Sequence, residues 1–464
     1  MTTALLLARA GHRVTIFERG DGLGGLWNPN SDKNGDFAGE NSCKVYQSTY
    51  HTAPAMFALI GTQWDAHFSP RHDLTHDWLL PFFRDASASD LAKLALAFAR
   101  HVLRPDTYRG VSVEAFLAQN NISAPATAWL RATALGGITG TLKMTVWELF
   151  FRVQGNLRSI VGRSNGVLHW NAQPPNCRDG FLPIWERALV SAGVHIRRNT
   201  EVSAIEKRAD ELSISLPSSD KVSFAAVFLA MPPRAMARLL ARSDAAFTEG
   251  FGHTRSSLAT VLTESVYEHL GITWFFREPI PNDLPLGGHN VRRGWHPILV
   301  QHSQYAGHLP PGVKTVVVGS ISLDTDFPHH RLGTRAREHD TEALARILWE
   351  DEQFVDPSLP SPTAHTVYGL SNATQIVAHG PLRAQCAGAE LFVATSLNGL
   401  SPYFTASLES AIQAGAAAAA RFDAKVERLP VGPGNVSKSD FAAKRAPTSP
   451  VIAEDMTRAA TTAH

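Results

Sequence analysis

The sequence contains few of the residues that build metal or disulfide frameworks. Its 464 residues include only three cysteines, far apart at Cys43, Cys177 and Cys386. This excludes a disulfide-stapled scaffold and a CxxC zinc site. Free, scattered cysteines are typical of a reducing compartment, so we expect a cytoplasmic location.

Excess charge and long apolar runs are also lacking. The chain has 43 Lys+Arg against 42 Asp+Glu, a formal net charge of +1. This balance gives no electrostatic reason to expect nucleic acid or an anionic membrane as a partner. No apolar run approaches the ~20 residues that span a bilayer, and the N-terminus lacks the basic start of a signal peptide. We expect a small-molecule substrate, no transmembrane segment and no metal; the oligomeric state stays open.

Enough apolar material is present for large buried cores. Hydrophobic residues make up 44% of the chain, which excludes global disorder, and the length indicates at least two domains. Only residues 430–464, rich in Pro, Ser, Thr, Ala and Lys, are predicted to be a disordered tail.

The N-terminal residues predict part of a dinucleotide-binding unit. Residues 2–10 have helical composition, Gly11 suits a helix end, and residues 13–17 form a strand that leads into Glu18. In a βαβ unit, an acid at the end of the second strand accepts hydrogen bonds from ribose hydroxyls. A GxGxxG turn is expected just before the helix, but the sequence as given starts at the helix.

Later segments repeat this type of pattern. Residues 182–192 predict a helix and residues 194–198 a strand, followed by a hairpin and the apolar strands 225–230 and 390–395. Residues 240–325, including the run LATVLTESV at 258–266, predict a mostly antiparallel sheet.

Four stretches, in order, resemble the flavin-containing amine oxidase and phytoene desaturase superfamily. They are TIFERGDGLGGLW, RDGFLPIWERALVSAGVHIRRNTEVSAI, AAVFLAMPPRAM and ELFVATSLNGLSPYFTASLESAIQAGAAAAARF. The resemblance implies FAD as the cofactor. It also implies an α/β fold, in which a Rossmann-like FAD-binding domain with a three-layer, mostly parallel sheet carries an inserted α+β substrate domain. The implied FAD-binding domain comprises residues 1–60, 165–235 and 385–429, and the substrate domain comprises residues 61–164 and 236–384.

The resemblance also implies site residues. Glu18 would hold the ribose. The Gly pair, Gly24 and Gly25, would let the backbone approach the diphosphate, and the backbone at Val202 would contact adenine. The last helix, expected to begin near residue 405, would offer first-turn amides to the flavin, where negative charge develops on reduction. The implied cofactor-binding residues are Glu18, Arg19, Gly24, Gly25, Leu26, Val202, Ala406, Ser407 and Leu408, and Tyr403 and Phe404 are candidates for the wall of the substrate cage.

This sequence departs from the family pattern in four places. The GxGxxG turn is absent, and Leu26 replaces an arginine. Thr395 and Ser396 stand where a glycine and a ribityl-binding acid are common. Our alignment places Thr260 at the strand position of a lysine that many amine oxidases use, and no lysine lies between residues 221 and 314.

Two further sets of residues suggest other functions, a monooxygenase and a metal site. Residues 24–27 and 45–48 also resemble flavin monooxygenases, but those enzymes need a second GxGxxG in mid-chain, and none occurs between a strand and a helix. We therefore interpret the likeness as an FAD-binding motif that both families share, and not as a sign of monooxygenase activity. His67, His72 and His76, with Asp73 and Asp77, lack the HExxH glutamate and surround Pro70, which favours a packed loop over a metal site.

Two functions from different classes remain open. The first is an FAD-dependent oxidoreductase of the amine oxidase type, which transfers a hydride from an amine or a desaturable carbon skeleton to flavin N5. The second is a degenerate, FAD-free homologue that acts as a binding protein or is inactive, since the phosphate-binding loop is missing.

We predict that the chain as given, purified alone, holds FAD weakly or not at all. A GxGxxG turn supplies several charge-assisted contacts to the diphosphate, each worth about 1–3 kcal/mol. Their loss is enough to move a nanomolar site to about micromolar or weaker. The flavin absorption of the purified protein measures this, and a stoichiometric yellow protein that survives dialysis contradicts it.

Overall fold

The computed structural model describes most of the chain between residues 1 and 430. The described residues are 1–28, 30–31, 38–39, 41, 45–47, 50–71, 86–130, 142–161, 167–170, 180–217, 220–280, 295, 297–301, 309–323, 328–375, 377, 381–401 and 407–430. The chain divides into two compact units, Met1–Gly432 and Pro433–His464. Apart from Pro430, the predicted tail at 430–464 lies outside the described residues.

Helices and strands alternate through the first unit. The helices are α1 (Thr2–Arg9), α2 (Thr52–Leu59), α3 (Ala88–Leu103), α4 (Val113–Gln119), α5 (Ala124–Trp129), α6 (Val146–Val161), α7 (Phe181–Ser191), α8 (Pro233–Ala241), α9 (Ala245–Gly250), α10 (Arg255–Glu264), α11 (Thr341–Val355) and α12 (Leu408–Phe422). The strands are β1 (Thr15–Phe17), β2 (Asn30–Ser31), β3 (Ala38–Gly39), β4 (Val45–Gln47), β5 (Phe68–Arg71), β6 (Val167–Trp170), β7 (His195–Arg197), β8 (Ala204–Arg208), β9 (Glu211–Ser215), β10 (Lys221–Phe224), β11 (Val227–Leu229), β12 (Val266–Phe276), β13 (Ile298–Gln301), β14 (Thr315–Ser322), β15 (Ala364–Thr374) and β16 (Leu391–Val393).

Two parallel ladders form the layer that the N-terminal pattern predicts. β1 pairs with β7, with Ile16 opposite Ile196, and β11 pairs with β16, with Phe228 opposite Phe392. The resemblance implies one mostly parallel sheet in the FAD-binding domain, but within the described residues the two ladders are separate.

Both ladders nevertheless lie between the same two hydrophobic cores. Ile16 and Phe228 pack against a first core built by α1, α2, α7 and α12. Phe17 packs against a second core, to which Leu229 belongs and which α8, α9 and α10 help to build. Because successive strand residues point to opposite faces, each ladder is covered on both sides. This is the three-layer arrangement of an α/β fold.

An antiparallel sheet of order β13-β14-β12-β15 carries a third core, against α11. The indole N–H of Trp274 donates to the carbonyl of Ala345 at 3.1 Å, and the rings of Phe276 and Trp349 lie 4.7 Å apart. Gly319 is required because an added Cβ would lie 2.5 Å from the Trp274 ring. Trp274 and Phe276 of β12 therefore pack in this core.

The predicted strand at residues 258–266 is wrong for most of its length. Residues 255–264 form α10, which begins with a capping box between Thr254 and Ser257. Leu258, Val261 and Leu262 are buried at helical spacing. The strand β12 begins only at Val266.

A fourth core joins α3, α4 and α6, and Asp90 fastens α3 to the start of α5. Its carboxylate accepts hydrogen bonds from the hydroxyls of Ser87 at 2.7 Å and Ser123 at 2.6 Å. It also accepts the backbone N–H of Ser123 at 3.1 Å. These bonds, chiefly that from Ser123, lower the pKa of Asp90 to about 2.

Of the histidine cluster, only His67 lies within the described residues, together with Pro70. The His67 ring shares a hydrogen bond of 2.9 Å with the Thr62 hydroxyl, and burial lowers its pKa. His72, Asp73, His76 and Asp77 lie outside the described residues. No helix that the structure describes is long and apolar enough to cross a membrane. The predicted domain boundaries stay a prediction.

We predict that Asp90→Asn lowers the free energy of unfolding by about 1–3 kcal/mol at pH 7, because a buried hydrogen-bonded carboxylate is lost. The folded-state pKa lies below the ordinary value of 3.8. The stabilisation is therefore present above that value and is lost as the pH falls through about 2.

Denaturant unfolding of wild type and variant between neutral pH and pH ~2 measures this difference, which should shrink toward the acid end. Glu114→Gln, an exposed carboxylate of α4, is the control and should change stability little. A wild-type–Asp90→Asn difference that does not depend on pH would contradict the prediction.

Candidate functional site

Glu18 directly follows β1, as predicted. Its backbone N–H donates to the carbonyl of Arg197, and its carbonyl accepts from Thr200, both at 2.9 Å. These bonds extend the pairing of β1 with β7 by one residue. One carboxylate oxygen accepts the N–H of Gly20 at 2.7 Å, which holds the half-buried side chain at the mouth of the glycine-rich loop. The neighbouring Arg19 is exposed.

The Gly pair forms a tight turn into a 3₁₀ segment at Gly25–Trp27. Gly24 has φ +112°, and an added Cβ would lie 2.6 Å from a methyl carbon of Leu182. Gly25 has φ +54°, with nothing within 4 Å of an added Cβ. Gly24 is therefore required by packing on α7, whereas the backbone at Gly25 is open to a close approach from outside. The following Leu26 is half-buried.

Val202 lies between β7 and β8, half-buried, with its side chain packed against the second core. This leaves the contact between its backbone and adenine, which the resemblance implies, as a prediction.

The last helix begins later than expected. Ser407 is its N-cap, and the Ser407 hydroxyl accepts the N–H of Ser410 at 3.0 Å. Leu408 is the first helical residue, so the amides of Leu408 and Glu409 lie in the first turn and have no intrahelical partner. The cofactor roles implied for Ala406, Ser407 and Leu408 stay predictions. Ala406, Tyr403 and Phe404 lie outside the described residues.

The loop from β16 to α12 is fixed to the helix by Asn398. Its side-chain NH₂ donates to the carbonyls of Val393 at 3.0 Å and Ala414 at 3.2 Å. Its side-chain oxygen accepts the N–H of Leu400 at 3.0 Å. Since these bonds join the end of the strand to the middle of the helix, the start of α12 has a defined position relative to β16.

Two buried hydroxyl groups at this place have no hydrogen-bond partner among the described residues: Thr395, on the loop after β16, and Ser410, in the first turn of α12. A buried hydroxyl without a partner costs about 1–3 kcal/mol. A ligand that brings hydroxyl, carbonyl and ring nitrogen groups, as FAD does, can satisfy both. The residues present therefore fit the implied cofactor at its flavin and ribityl end.

Glu409 is a functional candidate that the sequence did not reveal. Its fully buried carboxylate accepts the backbone N–H groups of His51, Thr52 and Ala53 at the start of α2. An acid near the start of a helix is common, so the residue carries no local signal of this contact. Its partners lie 356–358 residues earlier in the chain.

The alignment that placed Thr260 at the lysine position is wrong. Thr260 lies on the exposed side of α10, and its hydroxyl donates to the carbonyl of Ser256 at 3.1 Å. The physical reason is the helix that replaces the predicted strand, since a residue on its exposed face cannot be a strand position above a flavin.

Solved structures share the fold at low sequence identity. Cyclohexylamine oxidase from Brevibacterium oxydans superposes with a TM-score of 0.59 at 13% identity, covering 92% of this chain and 97% of that one. Putrescine oxidase bound to putrescine has a TM-score of 0.60 at 11% identity, covering 91% and 96%. A fatty acid isomerase from P. acnes, described as producing CLA, has a TM-score of 0.58 at 14% identity, covering 91% and 96%.

No functionally curated protein matches the chain. The sequence profile of flavin-containing amine oxidoreductases matches residues 1–422. That match includes β1 with Glu18, the Gly pair, both parallel ladders and all of α12. FAD is the cofactor that accompanies this fold. The chain belongs to the family of flavin-containing amine oxidoreductases.

Proposed function

We propose that this FAD-dependent oxidoreductase takes a hydride from a small organic substrate, either an amine or a desaturable carbon skeleton. FAD, when bound, accepts the hydride at flavin N5, and dioxygen or another acceptor reoxidises it. The protein's part is to bind, orient and stabilise charge.

The observation that carries the proposal is the start of α12, where two first-turn amides and the unpartnered hydroxyl of Ser410 come together. A helix N-terminus carries roughly half a positive charge. This favours a ring system that gains negative charge on reduction, and preorganised donors stabilise such charge without reorganising. Thr395, one loop away, would supply a further hydrogen bond to the ribityl chain in place of the acid common in the family.

The other end of the cofactor would be held by the residues around β1. Glu18 would accept hydrogen bonds from the ribose hydroxyls through the carboxylate oxygen not engaged by Gly20. The diphosphate would approach the open backbone at Gly25. These roles rest on the resemblance and on the strand-end position of Glu18.

The proposal keeps two substrate classes, amines and carbon skeletons. With Thr260 on an outer helix face and no lysine between residues 221 and 314, the lysine of many amine oxidases has no counterpart there. Hydride loss from an amine starts from its neutral form, so an amine substrate must lose its ammonium proton before the transfer. A carbon substrate needs no such deprotonation, and a solved relative of this fold is a fatty acid isomerase, so both classes stay in the proposal.

The alternative is a degenerate homologue that binds no FAD and acts as a binding protein or is inactive. FAD uptake by the wild-type chain separates the two, since a homologue that has lost the site would leave added FAD unchanged in fluorescence and absorption.

We expect Glu18→Ala to weaken FAD binding by about 1–3 kcal/mol, because one charge-assisted acceptor is lost. Titration of apo-protein with FAD, followed by flavin fluorescence, gives the two dissociation constants. Glu211→Ala, which removes an exposed carboxylate at the start of β9, is the matched control and should bind FAD like the wild type. Equal affinity of Glu18→Ala and wild type would refute the assigned role.

We expect the FAD-loaded chain to lose its oxidised-flavin absorption under anaerobic conditions when a substrate of the right class is added. A panel of primary and secondary amines is compared with a panel of unsaturated fatty acids. Deuterium at the carbon that loses hydride should slow the bleaching, because that C–H bond breaks. Bound FAD that no member of either panel reduces would count against the proposed reaction.

A further inference from the structure

Glu409 is the second residue of α12, and its carboxylate is fully buried. One of its oxygens accepts the N–H groups of His51 at 3.1 Å and Thr52 at 2.8 Å. The other accepts the N–H of Ala53 at 2.7 Å. Three of the N–H groups that α2 leaves unpaired at its start are therefore satisfied by one side chain from another helix.

This contact replaces a local cap. The N-cap residue of α2, His51, makes no side-chain capping bond. The charge of Glu409 thus lies against the positive end of α2, although the residue belongs to the first turn of α12. A buried carboxylate without such partners would be strongly unfavourable.

Gln413, one turn further along α12, adds to this contact, and we call the bonds of Glu409 and Gln413 to the start of α2 the clamp. Its NH₂ donates to the carboxylate of Glu409 at 2.9 Å and to the hydroxyl of Thr52 at 3.0 Å. Its oxygen accepts the hydroxyl of Ser401 at 2.7 Å. The Thr52 hydroxyl in turn donates to the carbonyl of Pro430 at 2.7 Å. These bonds are 2.7–3.0 Å long, and together with those of Glu409 they join the start of α2 to the first turns of α12.

The segment that leads into α2 connects the clamp to the Gly pair. The indole N–H of Trp27, at the end of the turn after Gly25, donates to the hydroxyl of Tyr46 at 3.3 Å. The ring of Tyr46 packs against that of Tyr50, with centroids 6.4 Å apart, and Tyr50 immediately precedes His51. The turn assigned to the diphosphate and the helix assigned to the flavin are thereby linked through buried side chains.

We propose that Glu409 is a positioning residue that locks α2 to the first turn of α12 and so sets that turn for the flavin. The proposal rests on the proposed function. It has an electrostatic side as well. A carboxylate in the first turn would oppose the negative charge of a reduced flavin, and the amides of α2 offset that opposition without removing it.

The main test is Glu409→Gln, which puts an NH₂ opposite one or more backbone N–H groups and removes the charge. We expect FAD to bind about tenfold more weakly or worse, since buried N–H groups lose their acceptor. We expect the flavin midpoint potential at saturating FAD to rise, since a negative charge near the site is lost. Fluorescence titration and equilibrium redox titration measure the two quantities.

Two further variants separate positioning, charge and plain stability. Thr52→Val removes hydrogen bonds of the clamp but keeps the carboxylate, so it should weaken FAD binding and leave the potential unchanged. Asp90→Asn is the matched control, because Asp90 is also a buried carboxylate held by hydroxyl and backbone N–H donors. It should destabilise the chain yet leave both the FAD affinity and the potential at wild-type values.

Hydrogen exchange of the apo-protein gives a readout that needs no cofactor. Glu409→Gln should speed exchange at the start of α2 and in the first two turns of α12 together, whereas Asp90→Asn should not. Exchange that rises in only one helix, or equally in both variants, overturns the clamp. A Glu409→Gln variant too unstable to purify leaves the decision to Thr52→Val, where unchanged FAD affinity overturns it.

The failure of this inference differs from that of the proposed function. A wild-type chain that takes up no FAD even when FAD is added in large excess overturns the proposed function and with it the cofactor role of Glu409, whereas weak binding is the result expected for this chain. A wild-type chain that binds FAD, together with a Glu409→Gln variant of the same affinity and potential, overturns the inference alone.

Discussion

The close contact between the first and last helices of the described unit holds the rest of the site in place. The hydroxyl of Thr3 donates to the carbonyl of Gly415 at 2.9 Å, and a Cβ at Gly415 would lie 3.1–3.2 Å from the side chains of Thr3 and Thr2. At the other end, the ring of His12 meets the carboxylate of Asp423 at 2.7 Å. Because α1 leads into β1 and α12 follows β16, this contact sets the two parallel ladders relative to each other.

The same helix organises what surrounds it. Asn398 fastens the loop after β16 to the middle of α12, and Ser401 reaches Gln413. Glu409 draws α2 onto the helix start. The helix α12 is thus bonded to the loop after β16 and to α2. Its N-terminus is the end where unsatisfied polar groups remain. The cofactor site is best described as the surroundings of that one helix end.

Much of the fold could be predicted because its signals are local. The helix, glycine, strand and acid at residues 2–18 are adjacent in the chain, and β11 and β16 are short apolar runs that read as buried strands. The strand predicted at residues 258–264 is wrong, because these residues belong to a helix. Thr254 is a residue type that often caps a helix, but Ser257 stands where the usual capping box has Glu or Gln, so the sequence signal for a helix is weak.

Other features of the site could not be predicted, since they depend on distant parts of the chain. The start of α12 shifts to Leu408 because Ser407 caps the helix, a choice among several polar residues that local preference does not decide. The role of Glu409 depends on backbone groups more than 350 residues away. The pairing of the strands into two ladders is likewise a matter of which elements meet in space.

The contact between Thr3 and Gly415 spans 412 residues, which has a consequence for how the chain is made. At synthesis rates of ~5–20 residues per second, α1 leaves the ribosome roughly 20–80 seconds before α12 exists. During that time the apolar side chains of Leu5, Leu6 and Leu7, all buried in the folded protein, can pack against α2 and α7 of the first core but lack their contact with α12. The side of α1 that packs on α12 therefore stays uncovered until late in synthesis, and the cofactor site is assembled only when α12 has emerged.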